Sequence, residues 1–372
     1  MNNKSFRTAF TILLALATVG NMTEQCSCHF IWLAKSKETG RTMIVDATDT
    51  EKNSEVAVAN DSDTTTELKL KTPFPKIPVG ITSFGGAVVA DHLYVYGGHC
   101  GNAHEYYDSG QNGQLYRLNV KDAKKWEAVC QSDGLQGLAM VTHGGNLYRV
   151  GGFEARNVKG DKQDLHSVSE FARFDFESKT WQKLKPMPVP RSSLDAVVVN
   201  DTLFVVGGWT LKGAGNTVWC DNAVSIDLSN KDAQWQAVEV PFKRRALSVG
   251  FQNGSLYAIG GMRQKGGPTS EVKVFDLKTK TWSDGPKLPG SSQMEGFGNS
   301  CFNVGGRLIV STYSGEVLRL NESQDAWEKI YQLETGRFFH RLLPISDKQF
   351  MLVGGANMDT GKVLDVEVLS FN

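Results

Sequence analysis

The sequence predicts an all-β fold: six four-stranded antiparallel sheets set radially as a β-propeller, with the ring closed by an N-terminal strand. Three observations predict it. An apolar strand ending in Gly-Gly recurs as HLYVYGG, NLYRVGG, TLFVVGG, SLYAIGG and QFMLVGG. A sixth copy, RLIVSTY, keeps the strand and carries Ser311 and Thr312 in place of the glycines. Counted from Gly97 through Gly151, Gly207, Gly260 and Ser311 to Gly354, the copies are spaced by 54, 56, 53, 51 and 43 residues. A near-constant period of that size marks a repeat architecture and outranks any single motif.

The third unit shows the elements in order. RSSLDAVVVN is strand one, ending at a tight turn at Asn200-Asp201, and TLFVVGG is strand two. A variable loop leads to NAVSIDL as strand three, and the turn SNKDAQ leads to WQAVEV as strand four. Asn253-Gly254 in the fourth unit is the strongest short hairpin signal in the chain. Ala90-Asp91, Gly144-Gly145 and Gly305-Gly306 hold the same place in other units. Strand four opens on Trp126, Trp181, Trp235, Trp282 and Trp327. Four short strands per unit, about six times over, specify a propeller.

Radial packing accounts for both recurring residue types. Gly97-Gly98, Gly151-Gly152, Gly207-Gly208, Gly260-Gly261 and Gly354-Gly355 leave no side chain where neighbouring backbones crowd. The tryptophans fill the gap between adjacent sheets. Both sets are therefore read as structural. The last unit stops after strand three, VEVLSF. ELKLKTPFP, beginning at Glu67, has the alternating pattern and proline-rich exit of a fourth strand, as in KLKPMPVPR. Pairing the two ends removes the edges that an open ring would expose.

This grammar of apolar strand, Gly-Gly, spaced Tyr or Phe and then Trp resembles the kelch repeat, from about residue 67 to residue 372. The resemblance implies a propeller serving as a protein-binding module, a glycan-related enzyme or an oxidase. Copper oxidases of this architecture resemble galactose oxidase and need a tyrosine–histidine ligand set, for which no matching Tyr-His pair is present. In layout the chain is similar to bacterial sialate mutarotases, which are exported six-bladed kelch propellers. That likeness implies, as the alternative to a binding platform, an N-acetylneuraminate mutarotase or epimerase using an acid and an arginine. Glu154 and Arg156 in GGFEAR, or Glu295, are the local candidates, and none aligns to a family motif.

The N-terminal stretches have another character. Lys4 and Arg7 precede the apolar run TAFTILLALATVG, which has the make-up of a secretory signal over residues 1–20. Residues 21–66 read as a flexible polar tether. Over 35–67 the chain holds no aromatic residue and is rich in Ser, Thr, Asp and Asn, too little apolar surface to offset its ordering entropy. An exported protein, in the periplasm, on the cell surface or secreted, is expected, touching a membrane only through an N-terminal anchor. With 40 basic and 40 acidic residues the net charge is zero, which argues against nucleic acid as a partner. A monomer is expected. Of the six cysteines, Cys220 and Cys301 fall in strands as small core residues, and Cys100 and Cys130 are candidates for a disulfide if the protein is exported.

Function is expected on the face that carries the loops after strand two and before strand one. Those loops are long in the first three units and short in the fifth. Arg191, Arg245 and Arg337, with Gln136 and Glu295, enter strand one. His99, Phe153, Trp209, Met262, Tyr313 and Ala356 follow strand two. Together they are expected to ring a pocket mouth. Arginine grips carboxylate in a bidentate fork and an indole stacks on a sugar ring or side chain, so a protein or glycan ligand is expected. The ligand-binding candidates are Arg191, Arg245, Arg337, Trp209, His99, Glu154 and Glu295, with no catalytic residue assigned. HCGNAH holds His99, Cys100 and His104, but no further ligand at zinc spacing, so no metal or other cofactor is expected.

Overall fold

The computed structural model describes residues 68–70 and 74–371. The expected signal at 1–20 and tether at 21–66 lie outside the described residues. The described chain forms six four-stranded antiparallel sheets. From inner to outer strand, blade one runs Gly85–Val89, His92–Tyr96, Gln114–Asn119 and Trp126–Gln131. Blade three runs Asp195–Val199, Thr202–Val206, Asn222–Asp227 and Gln236–Glu239. Blades two, four and five repeat this order, their inner strands being Ala139–His143, Ser248–Gln252 and Ser300–Val304. Blade six takes Arg341–Ser346, Gln349–Val353 and Glu367–Phe371 from the C-terminal end. Its outer strand is Leu68–Leu70, paired antiparallel with Phe371, Ser370 and Leu369. The ring therefore closes by joining the two ends of the domain in one sheet.

The core is divided into wedges between neighbouring blades. Leu343, Met351 and Val353 of blade six pack with Phe84, Leu93 and Val95 of blade one. Tyr94, Tyr96 and Leu115 of blade one pack with Leu138, Met140 and Phe174 of blade two. This division corrects the expected disulfide. Cys100 packs against the first wedge and Cys130 against the second, so blade one stands between them, and both are free thiols.

The glycine pairs act at these seams. The N–H of each second glycine donates to a carbonyl at the entry to the next blade: Gly98 to Leu135 at 2.7 Å, Gly152 to Arg191 at 3.0 Å, and Gly208 to Arg244 at 2.8 Å. Gly261 donates to Gly296 at 2.7 Å and Gly355 to Ile81 at 2.9 Å. A Cβ on Gly207, the neighbour of Gly208, would lie 2.7 Å from that same Arg244 carbonyl oxygen, and the φ of Gly207 is +72°. Only glycine brings the two backbones this close.

A second set of bonds runs round the mouth. Ser83, Gly137, Ser193, Ala246, Gly298 and Phe339 hold equivalent positions, each with a positive φ. Ser83 donates to Phe339, Phe339 to Gly298, Gly137 to Ser83, Ser193 to Gly137 and Ala246 to Ser193, at 2.7 to 3.1 Å. Four tryptophans tie the outer rim. The indole N–H of Trp126 donates to Pro75, Trp235 to Lys185, Trp282 to Glu239 and Trp327 to Pro286, each beside the preceding blade. Trp181 takes a different partner: the Arg149 guanidinium lies 4.6 Å above it and 4.7 Å from Tyr96.

The centre is bridged by one ion pair. Arg341 Nη1 bonds to Asp195 Oδ1 at 2.6 Å, linking blade six to blade three. Its Nε and Nη2 donate to the Phe84 and Leu138 carbonyls at 2.9 and 3.1 Å. The long side chain has room because the equivalent inner positions are Gly85, Ala139, Ser248 and Ser300. Asp195 Oδ2 in turn accepts the Val249 N–H at 2.9 Å.

The seam between blades five and six departs from the pattern. Thr312 N–H turns back to Glu316 O at 2.9 Å within its own blade. His340 stands at the position where Leu194 and Leu247 press on the first glycine of the preceding blade. Among the described residues, Ser311 Oγ and both ring nitrogens of His340 are buried with no hydrogen-bond partner. Burial, then the charges of Arg337 and Arg341, hold the His340 imidazole well below its ordinary 6.5. A depressed folded-state value means stability present above the unfolded pKa and lost as pH falls below it.

Two predictions follow from these seams. Gly207→Ala, which meets the Arg244 carbonyl of the next blade, lowers the unfolding free energy by about 2–3 kcal/mol. Gly254→Ala, with the same sign of φ but nothing within 4 Å of its Cβ, costs about 1 kcal/mol. Urea denaturation separates the two. Below pH ~6.5 the wild type loses up to about 1.4 kcal/mol per pH unit through His340, and His340→Leu removes that slope.

Candidate functional site

The loop-bearing face is built by extending strands one and two past the seam bonds. Thr82 pairs with His99, Gln136 with Phe153, Ser192 with Trp209 and Phe338 with Ala356, as isolated bridges. Arg245 pairs with Met262 in a two-residue ladder. The mouth is thus lined by a repeated backbone device, and the side chains it carries differ from blade to blade.

The long loops are tied to one another. Gln111 Nε2 donates to Phe153 O at 3.0 Å and its Oε1 accepts Ala155 N–H at 2.6 Å, joining the blade one and blade two loops. Asn157 Nδ2 donates to Tyr106 O at 2.8 Å. The Ser167 and Ser192 hydroxyls meet at 2.8 Å, and Leu211 N–H donates to Ser167 Oγ at 2.9 Å, joining blade two to blade three. Loops held this way present a firm wall.

On that wall sits an aromatic–guanidinium cluster. Trp209 and Trp219 face each other across a short ladder, with ring centroids 5.6 Å apart at 70°. The Arg245 guanidinium lies 4.0 Å from the Trp209 ring and 5.8 Å from that of Trp219. A second aromatic group, His99, Tyr106 and Phe153, continues the rim on blades one and two, with neighbouring rings 5.1 and 6.0 Å apart. On blades five and six, Tyr313 stacks on Phe338 at 5.7 Å.

Two of the three arginines expected at the mouth are not there. Arg191 and Arg337 are each 1 % exposed. Arg191 Nη1 and Nη2 bond to Asn222 O and Oδ1 at 3.0 and 2.9 Å. Arg337 pairs with Glu367 and donates to Asp365 O at 3.1 Å. Their counterpart in blade four is Arg244, buried on Glu271 at 2.7 Å. Two adjacent arginines in KRRAL hide a shift of one residue: Arg244 takes the structural place and Arg245 faces the mouth.

The remaining candidates separate as well. His99 is buried, its Nε2 on Asn102 O at 2.7 Å. Glu154 pairs with Arg156 Nε at 2.7 Å on the blade two hairpin. Glu295 is buried, its Oε2 accepting the Ser314 hydroxyl at 2.7 Å. Trp209 and Arg245 are brought together. Trp219, Phe338 and the Arg341–Asp195 pair were not singled out from the sequence. Trp219 could have been found as the second indole in WTLKGAGNTVW, closing the same hairpin as Trp209.

A family model described as the KLHDC2/KLHL20/DRC7 Kelch-repeats domain matches residues 87–311. The chain belongs to the kelch-repeat family. This kelch chain is 22 % identical to human Kelch repeat and BTB domain-containing protein 12 over 285 residues, covering 69 % of this chain and 44 % of that protein. It is 25 % identical to mouse Kelch-like protein 35 over 221 residues, 59 % of this chain and 33 % of the other. It spans less than half the length of these curated relatives. The solved structure titled "Structure of YjhT" matches with a TM-score of 0.63 at 17 % identity, covering 79 % of this chain and 95 % of that one. At that identity the likeness concerns the fold.

The two kinds of arginine in this kelch propeller are separable by mutation. Arg191→Ala, which removes a buried guanidinium and leaves half-buried Asn222 groups without their partner, lowers the unfolding free energy by about 2–4 kcal/mol. Arg245→Ala, losing a partly exposed stacking contact, costs about 1 kcal/mol or less. Denaturant titration of both variants checks the contrast.

Proposed function

We propose that this kelch propeller is a binding platform that holds a protein or carbohydrate ligand on its loop-walled face, outside the cytoplasm. The observation that carries the reading is the Trp209–Arg245–Trp219 cluster. The guanidinium stacks on Trp209 with Trp219 alongside, and the flat indole surfaces offer stacking area beside it. A ligand presenting a carboxylate next to a planar or ring-shaped apolar group complements both features. The cross-bonded loops support the reading, because a pre-ordered wall spends little binding energy on ordering. The export part rests on the basic, then apolar, N-terminal twenty residues.

The mutarotase-like alternative asks for an acid ready to exchange a proton with a sugar. Glu154 is committed to Arg156, and Glu295 to Ser314. Both candidate acids are engaged within their own surroundings, so binding without chemistry is the better-supported function.

A thermal-shift screen of the full chain against uronic acids, sialic acid and acidic peptides tests this. A ligand at a hundred times its Kd stabilises by about 2.7 kcal/mol. Arg245→Ala or Trp209→Ala should weaken that ligand roughly tenfold or more, about 1.4 kcal/mol, while the protein stays folded. Unchanged binding by both folded variants would contradict the site. Faster approach of sialic acid to anomeric equilibrium, followed by proton NMR, would replace the platform with an enzyme.

A further inference from the structure

Three blades round the ring from Trp209, the same face has a pocket of different chemistry. It lies between blades five and six, has a volume of about 170 Å³, and is lined by Tyr313, Phe338, Asn357, Met358 and Asp359 among others. Tyr313 and Phe338 stack at 18° and form an aromatic wall, backed by Phe297 and Phe339 at 5.6 and 5.3 Å from Phe338. Met358 stands at the rim, 54 % exposed. Asn357 holds the rim in shape: its Nδ2 donates to Gly336 O at 2.7 Å and its Oδ1 accepts the Asp359 N–H at 2.9 Å.

The charge at this pocket is negative. Asp359 has no ion-pair partner among the described residues, and Glu295 is held close by on Ser314, next to Tyr313 in the chain. Burial first, then the charges of Asp359 and Glu295, raise the Tyr313 phenol above its ordinary value. An aromatic face, a thioether and a carboxylate together form an electron-rich cup, which attracts a cation through both its ring faces and its acid.

We propose that the Tyr313–Phe338–Asp359 pocket receives a positively charged side chain, arginine or lysine, of a partner protein. The inference rests on the protein-binding form of the platform and adds a second contact to it. Blades three and four offer a guanidinium to an acidic group, and blades five and six offer a carboxylate and aromatic rings to a basic one. A partner segment carrying both charges complements the face from side to side and is oriented by it.

Two methionines make the test direct, because Met262 pairs with Arg245 and Met358 rims the pocket. The full chain is labelled at methionine methyls, and Met358→Leu identifies the Met358 resonance. Acetyl-arginine amide and its neutral isostere, acetyl-citrulline amide, are then titrated. The proposal expects acetyl-arginine amide to move Met358 and to leave Met262 in place. It expects citrulline to bind about threefold or more weakly, and Asp359→Asn to abolish that preference. Equal binding of the two probes, a preference that survives Asp359→Asn, or an unmoved Met358 would each overturn it. Failure of the Arg245 site appears separately, as an unmoved Met262 when acetyl-aspartate amide is titrated.

Discussion

A propeller has no layer above or below its sheets, so each blade is positioned chiefly by its two neighbours. Here that positioning depends on a single backbone contact: the N–H of the second glycine after strand two reaching the carbonyl that opens the next blade. The first glycine of each pair lies so close to that same carbonyl that a Cβ would crowd it, and the second is crowded by its own blade's entry strand. Glycine therefore recurs there while the surrounding residues vary. The ring of positive-φ residues, the indole bonds at the outer rim and the Arg341–Asp195 bridge across the centre all assume the spacing that this contact sets. Where it is missing, between blades five and six, Ser311 and His340 are left buried without partners.

The same contact places the functional face. Directly beyond it, strands one and two continue for one or two residues and end at the mouth. Thr82, Gln136, Ser192, Arg245 and Phe338 therefore stand beside His99, Phe153, Trp209, Met262 and Ala356. The scaffold fixes where these side chains emerge and leaves their identities unconstrained. That freedom allows a guanidinium stacked on an indole on one side and an acid beside stacked rings on the other. It also explains the buried arginines: Arg191, Arg244 and Arg337 lie one residue before the mouth position and bond within their own blades.

Much of the fold was legible because its period is written in residues with no substitute. Glycine pairs mark five of the six blades and strand-four tryptophans five, and the missing last strand pointed to ELKLKTPFP. The site was less legible, for reasons that can be named. A shift of one residue in KRRAL exchanges a buried arginine for an exposed one, and strand spacing cannot resolve it. Arg341 and Asp195 are 146 residues apart and meet only because the ring closes. Cys100 and Cys130 look close in one unit, yet a strand's two faces feed different wedges. Trp219 was hidden because hairpin length, not motif, brings it to Trp209.

Native-state hydrogen exchange of the full chain tests the central claim most directly. The account predicts that the amides of Gly98, Gly152, Gly208, Gly261 and Gly355 exchange among the slowest in the molecule, through global unfolding. It predicts the outer-strand amides to exchange sooner. Glycine amides that exchange as fast as the surface loops, in a protein otherwise well protected, would show that the seams open locally and that the blades are held by something else.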